Sequence, residues 1–257
     1  MLVAMDTVRE TGPGIFLDFD EISALRDEFS RFMFSYKFGM EEVTTKVGIL
    51  EQEFQHLQKY NPIEHVTSRL KTPESVLDKI ARKNCEPRFE TIRETITDIA
   101  GVRVTCSFTS DVYRVFEALT RQDDITVLQV KDYVRQPKAN GYRSLHVIVE
   151  VPVFLSSGPV AVPVEVQLRT VAMDFWASLE HKIFYKFNGE VPLDICRSLG
   201  EAAATAARLD EEMERLHRDV HGDLPPVPVE LARGAIPMPD DVVARLMRQR
   251  GVFSGLS

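Results

Sequence analysis

The chain has no surplus of positive charge: 31 Lys and Arg stand against 39 Asp and Glu, a formal net charge of -8. A general attraction to nucleic acid or to an anionic membrane is therefore not expected, and any phosphate chemistry must rest on a local basic cluster. Cysteine is scarce. Cys85, Cys106 and Cys196 are odd in number and far apart. They form neither a disulfide framework nor a zinc spacing and point to a reducing compartment. The longest uncharged run, 151–164, holds Pro and Gly and is too short to cross a bilayer. The N-terminus has no basic head followed by an apolar core. A cytoplasmic soluble protein is the expectation. Neither Gly-x-x-x-x-Gly-Lys-Ser/Thr nor Gly-x-Gly-x-x-Gly occurs. Phosphates, if bound, must be held by side-chain cations rather than a glycine-rich loop.

What the chain does hold is 44% hydrophobic residues over 257 positions, enough for one sizeable core with helical additions. Residues 1–20 lack periodicity and contain Gly12-Pro13-Gly14, so a flexible N-terminal segment is expected. Over 21–60, Ile22, Leu25, Phe29 and Phe32, then Val43, Val47, Leu50, Phe54 and Leu57, recur at helical spacing. That predicts N-terminal helices, divided near Gly39 and stopped by Asn61-Pro62. Strands are expected near 63–71, 99–108, 125–134, 145–154 and 160–168, and helices near 73–83, 111–121, 170–187 and 193–220. Thr72-Pro73 reads as an N-cap followed by proline at the first helical position. A Pro-rich linker at 224–228 and a short helix at 240–249 complete the pattern. The fold class is α+β, with a mixed five-stranded sheet, helices on one face, and flanking N- and C-terminal helices. The expected division is 1–20, 21–60, a mixed unit at 61–190, a C-terminal helix at 191–222 and a tail at 223–257.

Side chains alternate across a strand, so faces can be sorted. Val162, Val164, Val166 and Leu168 share one face; Glu165, Gln167 and Arg169 share the other. His146 stands opposite Leu145 and Val147. Arg69 and Lys71 stand opposite Leu70, and Arg103 and Thr105 opposite Val102 and Val104. Arg, His, Gln and Glu converge on one face, which suits a binding surface better than an ordinary solvated one. In the helix after Pro73, Ser75, Lys79 and Arg82 form one stripe, with Val76, Leu77 and Ile80 on the buried side. In the helix after Thr170, Asp174, Ser178, His181 and Tyr185 form another, backed by Phe175, Trp176, Leu179 and Ile183.

Arg69, Lys71, Lys79, Arg82 and Arg103 supply the cations for a phosphate site; arginine can also stack on a base. Asp98 and Glu165 are the best oxygen pair for Mg²⁺, which takes one or two carboxylates together with phosphates and waters. Glu165 stands among valines in an otherwise uncharged run, and a carboxylate there suits a base acting on a hydroxyl. The stretch 130–150 breaks from one strand into a basic loop and re-enters another. It gathers Lys131, Arg135, Lys138, Tyr142 and His146, a set fit for a phosphorylated ring compound.

Four ordered motifs resemble the (p)ppGpp synthetase domain of the RelA/SpoT family. They are the runs Arg69 to Arg82, Thr97 to Arg103, Asn140 to His146 and Glu165 to Thr170. The continuation Ala172 to His181 is similar to the small alarmone synthetases in particular. The resemblance covers about residues 60 to 190. It implies a nucleotidyltransferase-like sheet and transfer of pyrophosphate from ATP to the ribose 3′-OH of GDP or GTP. By the resemblance, Arg69 and Arg103 sandwich adenine, and Lys71, Ser75, Lys79 and Arg82 hold the ATP phosphates. Asp98 and Glu165 ligate Mg²⁺, and Glu165 also engages the 3′-OH. Tyr142 stacks on guanine, Lys131, Lys138 and His146 lie around the acceptor phosphates, and Gln167 lies near the acceptor. Asp174 stands where some small synthetases carry an Asn that reads guanine, so the preferred acceptor stays open. The hydrolase centre of the long family members uses a His-Asp pair, and no His-Asp dipeptide occurs; synthesis without hydrolysis is expected. A homo-oligomer, with a tetramer favoured, is also implied. Two alternatives remain: the same fold acting on an adenosine nucleotide or a tRNA 3′ end, and a nucleotide sensor without catalysis.

Overall fold

The computed structural model describes residues 19–57, 60–185 and 191–222. The expected lead-in over most of 1–20, the linker at 224–228 and the helix at 240–249 lie outside the described residues.

The first helix, α1 (Phe19–Leu57), is continuous over 39 residues. This corrects the expected break at Gly39. The glycine is there for approach: a Cβ at Gly39 would lie 2.7 Å from a methyl of Val162, so only glycine lets the helix lie this close to the sheet. The buried stripe Phe32, Tyr36, Val43, Val47, Leu50 and Phe54 runs straight through that point.

The remaining elements follow in order: β1 (Ile63–Leu70), α2 (Pro73–Lys83), α3 (Phe89–Thr95), β2 (Ala100–Cys106), α4 (Thr109–Thr120), β3 (Thr126–Asp132), β4 (Leu145–Leu155), β5 (Gly158–Thr170), α5 (Val171–Tyr185) and α6 (Leu193–His221). The Thr72 side chain accepts from the Ser75 N–H at 3.3 Å, capping α2 as its Thr-Pro start predicts; such a cap contributes about 1 kcal/mol. Asn84 ends α2 in the left-handed region. The short α3 has no sequence signal to match: Arg88 at its N-cap makes no side-chain cap.

The five strands form one sheet in the order β1-β2-β5-β4-β3. Only β2 and β5 pair in parallel; the other neighbours are antiparallel. The sheet is thus mixed, and the α+β expectation holds. Val102, Val104, Val147, Val149, Val164, Val166 and Leu168 bury its apolar face. Helix α1 crosses that face against β1, β2, β4 and β5, and α4 lies against β2 and β5. α5 leaves the end of β5 and packs on α6. Two face predictions fail. Leu77 is exposed rather than buried on α2, and Phe175, Leu179 and Ile183 are exposed on α5. Trp176 of that expected side is buried, and with Met173 and Ala177 it faces the sheet end and α6.

Candidate active site

Strand register sets the polar side chains in rows. Arg69 pairs with Gly101, and Gly101 pairs with Glu165. Two residues along, Thr67, Arg103, Gln167, His146 and Lys131 follow one another across all five strands. Directly paired residues point to the same side of a sheet, so this row is one stripe on the face that α1 leaves uncovered. Glycine at 101 places no side chain between Arg69 and Glu165. A cavity of about 410 Å³ opens there, lined by Arg69, Lys71, Asp98, Arg103, Glu165 and Gln167 among others.

On one side of Glu165 lies a lysine-held carboxylate. Asp98 sits in the turn before β2, and its Oδ2 accepts from Lys71 Nζ at 3.0 Å and from Lys79 Nζ. Lys71 also donates to the Asp98 backbone carbonyl at 2.8 Å. Burial pushes the Asp98 carboxyl up, but the Lys79 and Lys71 ammoniums outweigh it and hold the group below its ordinary value. Its other oxygen, Oδ1, is buried without a hydrogen-bond partner. An orphaned carboxylate oxygen beside a second carboxylate on the same cavity suits a hard divalent cation completed by phosphates and waters. Among the described residues, no group of three or more His, Cys, Asp or Glu side chains comes together that could hold a metal without such help.

On the other side lies the loop between β3 and β4. Asp132 shapes its start, accepting from the Val134 and Arg135 N–H groups at 3.0 and 2.9 Å. Asn140 shapes its end, accepting from the Tyr142 N–H at 3.1 Å while its amide donates to Glu180 at 3.0 Å. Gly141 adopts φ 87°, and a Cβ there would collide with the methyl of Ala203 on α6. The loop therefore rests on α6, and Tyr142 packs against the cluster of Trp176, Ala177, Leu199 and Ala203. Lys138 Nζ lies 4.7 Å from the ring centres of both Tyr133 and Tyr142.

Glu165 joins the two sides. Its Oε1 meets His146 Nδ1 at 3.1 Å, and its Oε2 accepts from Gln167 Nε2 at 2.9 Å. Burial pushes the Glu165 carboxyl up, but the hydrogen bonds from His146 and Gln167 hold it below its ordinary value. Tyr142 Oη lies 2.7 Å from His146 Nε2. Arg169, 5% exposed, donates to Tyr142 Oη at 2.6 Å, to Gln167 Oε1 at 3.1 Å and to Asp174 Oδ1 at 3.1 Å. Arg103 reaches the same Asp174 oxygen at 3.3 Å. Asp174 is thus held between two guanidiniums.

Three expected residues stand outside this connected set. Ser75 takes part in the α2 cap with Thr72. Arg82 is exposed, three residues beyond Lys79 on α2, and Lys131 is exposed on β3, in register with His146. Strand alternation puts Arg169 on the polar face, but alternation alone cannot reveal a hub. Arg143 brings its charge towards the buried Asp210 of α6, and Arg135 lies over the Tyr113 ring at 4.9 Å, so both serve the framework.

Comparison with known proteins agrees with this geometry. A family model described as "Region found in RelA / SpoT proteins" matches residues 68–190. The GTP pyrophosphokinase YwaC of Bacillus subtilis is 45% identical over 201 residues, covering 78% of this chain and 96% of its own. The chain belongs to the RelA/SpoT family. It covers nearly the whole length of that short relative. The solved small alarmone synthetase 2 from Bacillus subtilis superposes with a TM-score of 0.69 at 46% identity, over 75% of this chain and 99% of that one. Small alarmone synthetase 1 from the same organism, solved bound to its product pppGpp, gives 0.70 at 38% identity, over 76% and 98%. That relative has also been solved with AMPCPP. The RelA/SpoT match spans the β3–β4 loop, α5 and the cavity residues from Ser68 onward, so the polar face from Arg69 to Asp174 falls inside the family region.

Proposed function

We propose that this chain is a GTP diphosphokinase of the small alarmone synthetase type, moving the β,γ-pyrophosphate of ATP to the 3′-OH of a guanosine nucleotide. The observation that carries the reading is the place of Glu165. It stands between a cationic cavity on the β1–β2 side and the Tyr142 loop on the β4 side, with both oxygens hydrogen-bonded. Two nucleotides fit the two sides. Arg69 and Arg103 take the donor base, and Lys71, Ser75, Lys79 and Arg82 its phosphates. Tyr142 stacks on the acceptor base near Asp174 and Gln167, and Lys131, Lys138 and His146 lie on the acceptor-phosphate side. The 3′-O forms a bond to the β-phosphorus while the bond from that phosphorus to the α–β bridging oxygen breaks and AMP leaves. Glu165 takes the hydroxyl proton. Positioning and charge neutralisation supply most of the acceleration in such transfers.

Asp98 and Glu165 would hold Mg²⁺, in line with the unpartnered Asp98 oxygen. The ion, when bound, supplies positive charge to the phosphate oxygens. The catalytic unit is read as residues 61–190, with α1 and α6 as flanks. The protein is read as cytoplasmic; among the described residues no helix is long and apolar enough to cross a membrane. A homo-oligomer, most simply a tetramer, completes the reading. Incubation of labelled ATP and Mg²⁺ with GMP, GDP or GTP in turn tests the activity. A 3′-pyrophosphorylated guanosine nucleotide and AMP are expected. Product only with an adenosine nucleotide or tRNA, or no product with any acceptor, would overturn it.

A further inference from the structure

Arg169, Tyr142, His146 and Glu165 form a hydrogen-bonded chain whose direction follows from the groups themselves. Arginine has only donors, and its NH2 donates to Tyr142 Oη at 2.6 Å. The ionised Glu165 only accepts, and its Oε1 lies 3.1 Å from His146 Nδ1. A neutral imidazole between these ends satisfies both in one tautomer alone. Nδ1 carries the hydrogen and donates to Glu165, and Nε2 accepts the Tyr142 hydroxyl hydrogen over 2.7 Å. The anchor is firm. Arg169 is buried, and its guanidinium is also fixed by Asp174, by Gln167 and by Ser144 Oγ at 3.4 Å. Gln167, which Arg169 holds by its oxygen, donates its amide to the second Glu165 oxygen at 2.9 Å. Both Glu165 oxygens therefore trace back to one guanidinium.

We infer that Arg169 is a positioning residue that aims the Glu165 carboxylate, acting on one oxygen through the Tyr142 hydroxyl and His146 and on the other through Gln167. The inference rests on the proposed function and adds two things to it. Tyr142 contributes its hydroxyl as well as its ring. His146 has both ring nitrogens committed, so it serves Glu165 and leaves the acceptor phosphates to Lys131 and Lys138. A carboxylate held at both oxygens presents its remaining lone pairs in a fixed direction, which is what a near-attack geometry requires.

Tyr142→Phe separates this role from stacking, since it keeps the ring and removes one oxygen. The KM for the acceptor is expected to stay within about twofold while kcat falls roughly 10-fold or more. Arg169→Lys, which keeps the charge and loses the fork, is expected to lower kcat in the same sense. Nitrogen-15 NMR of the imidazoles gives a readout independent of turnover, with the His146 signals identified by their loss in His146→Asn. The wild-type chain should show the Nδ1–H tautomer, and Tyr142→Phe a shift towards a mixture. An unchanged kcat in Tyr142→Phe, or the same His146 tautomer in both chains, overturns the inference while leaving the proposed function standing. A wild-type chain that makes no guanosine product removes both.

Discussion

Glu165 is a half-buried carboxylate kept ionised by its partners. Burial alone would raise its pKa, and the hydrogen bonds from His146 and Gln167 reverse the sign. The group is therefore ready to accept a proton at neutral pH without first losing one. Glu165→Gln keeps the size, removes the proton acceptor and is expected to lower turnover roughly 100-fold or more. Initial rates of AMP release with ATP and a guanosine nucleotide check this; near-normal turnover would refute the role. The residue type and the alternation around it were legible in the sequence, because a charged side chain among valines on a two-residue period has few explanations. The partner on each of its oxygens was not. Gln167 lies two residues along β5 on the same face, but alternation does not say where its amide points, and His146 comes from β4, whose register against β5 no local rule sets.

At the level of elements, α6 is the support under the β3–β4 loop. Gly141 adopts a positive φ and lies against Ala203, so it has two separate reasons to lack a side chain. Gly141→Ala is expected to cost roughly 1–3 kcal/mol of stability from backbone strain and overpacking, and to raise the acceptor KM by moving Tyr142. Denaturant melts check the stability. Adding Ala203→Gly should recover the packing part and leave the backbone part. Helix α6 is also tied to the start of α5. Thr170 Oγ1 donates to Asp210 Oδ2 at 2.6 Å and caps α5 by accepting from the Met173 N–H at 3.1 Å. Burial raises the Asp210 carboxyl to about 6 from 3.8; Glu214 and Glu211 add to the rise, while Thr170 and Arg143 oppose it. The folded chain then holds a proton that the unfolded chain has released, so this contribution to stability falls as the pH rises from about 3.8 to 6 and is level above. Asp210→Asn removes that slope. Thermal melts at successive pH values should show the variant gaining on the wild type between pH 4 and 6 and holding a constant difference beyond. Asp111, raised in the same direction by burial, keeps a residual slope in both chains.

For the molecule as a whole, α6 exposes Leu209, Met213, Leu216 and Val220 at spacings of four, three and four, one stripe along the helix. Phe34 and Ile49 of α1 are exposed as well. Apolar stripes of this length on a single chain favour association, and a homo-oligomer is the expected state in solution. Sedimentation velocity should give a mass of several chains, and Met213→Glu with Leu216→Glu should reduce it. A wild-type monomer at micromolar concentration would refute this. The sequence by itself determined which residue types this protein brings to its chemistry, because strand and helix periods sort side chains to faces without knowledge of the rest of the chain. It fixed the α2 cap in the same way, since Thr72 and Ser75 are three residues apart. Only the tertiary structure decided that α1 runs unbroken past Gly39, that Gly101 leaves room beside Glu165, and that Arg169 holds both halves of the polar face. Each of these depends on β5 meeting β2 or the β3–β4 loop, or on a helix meeting a distant element. Such contacts join residues far apart in the chain, whose positions are set by the closing of the whole core.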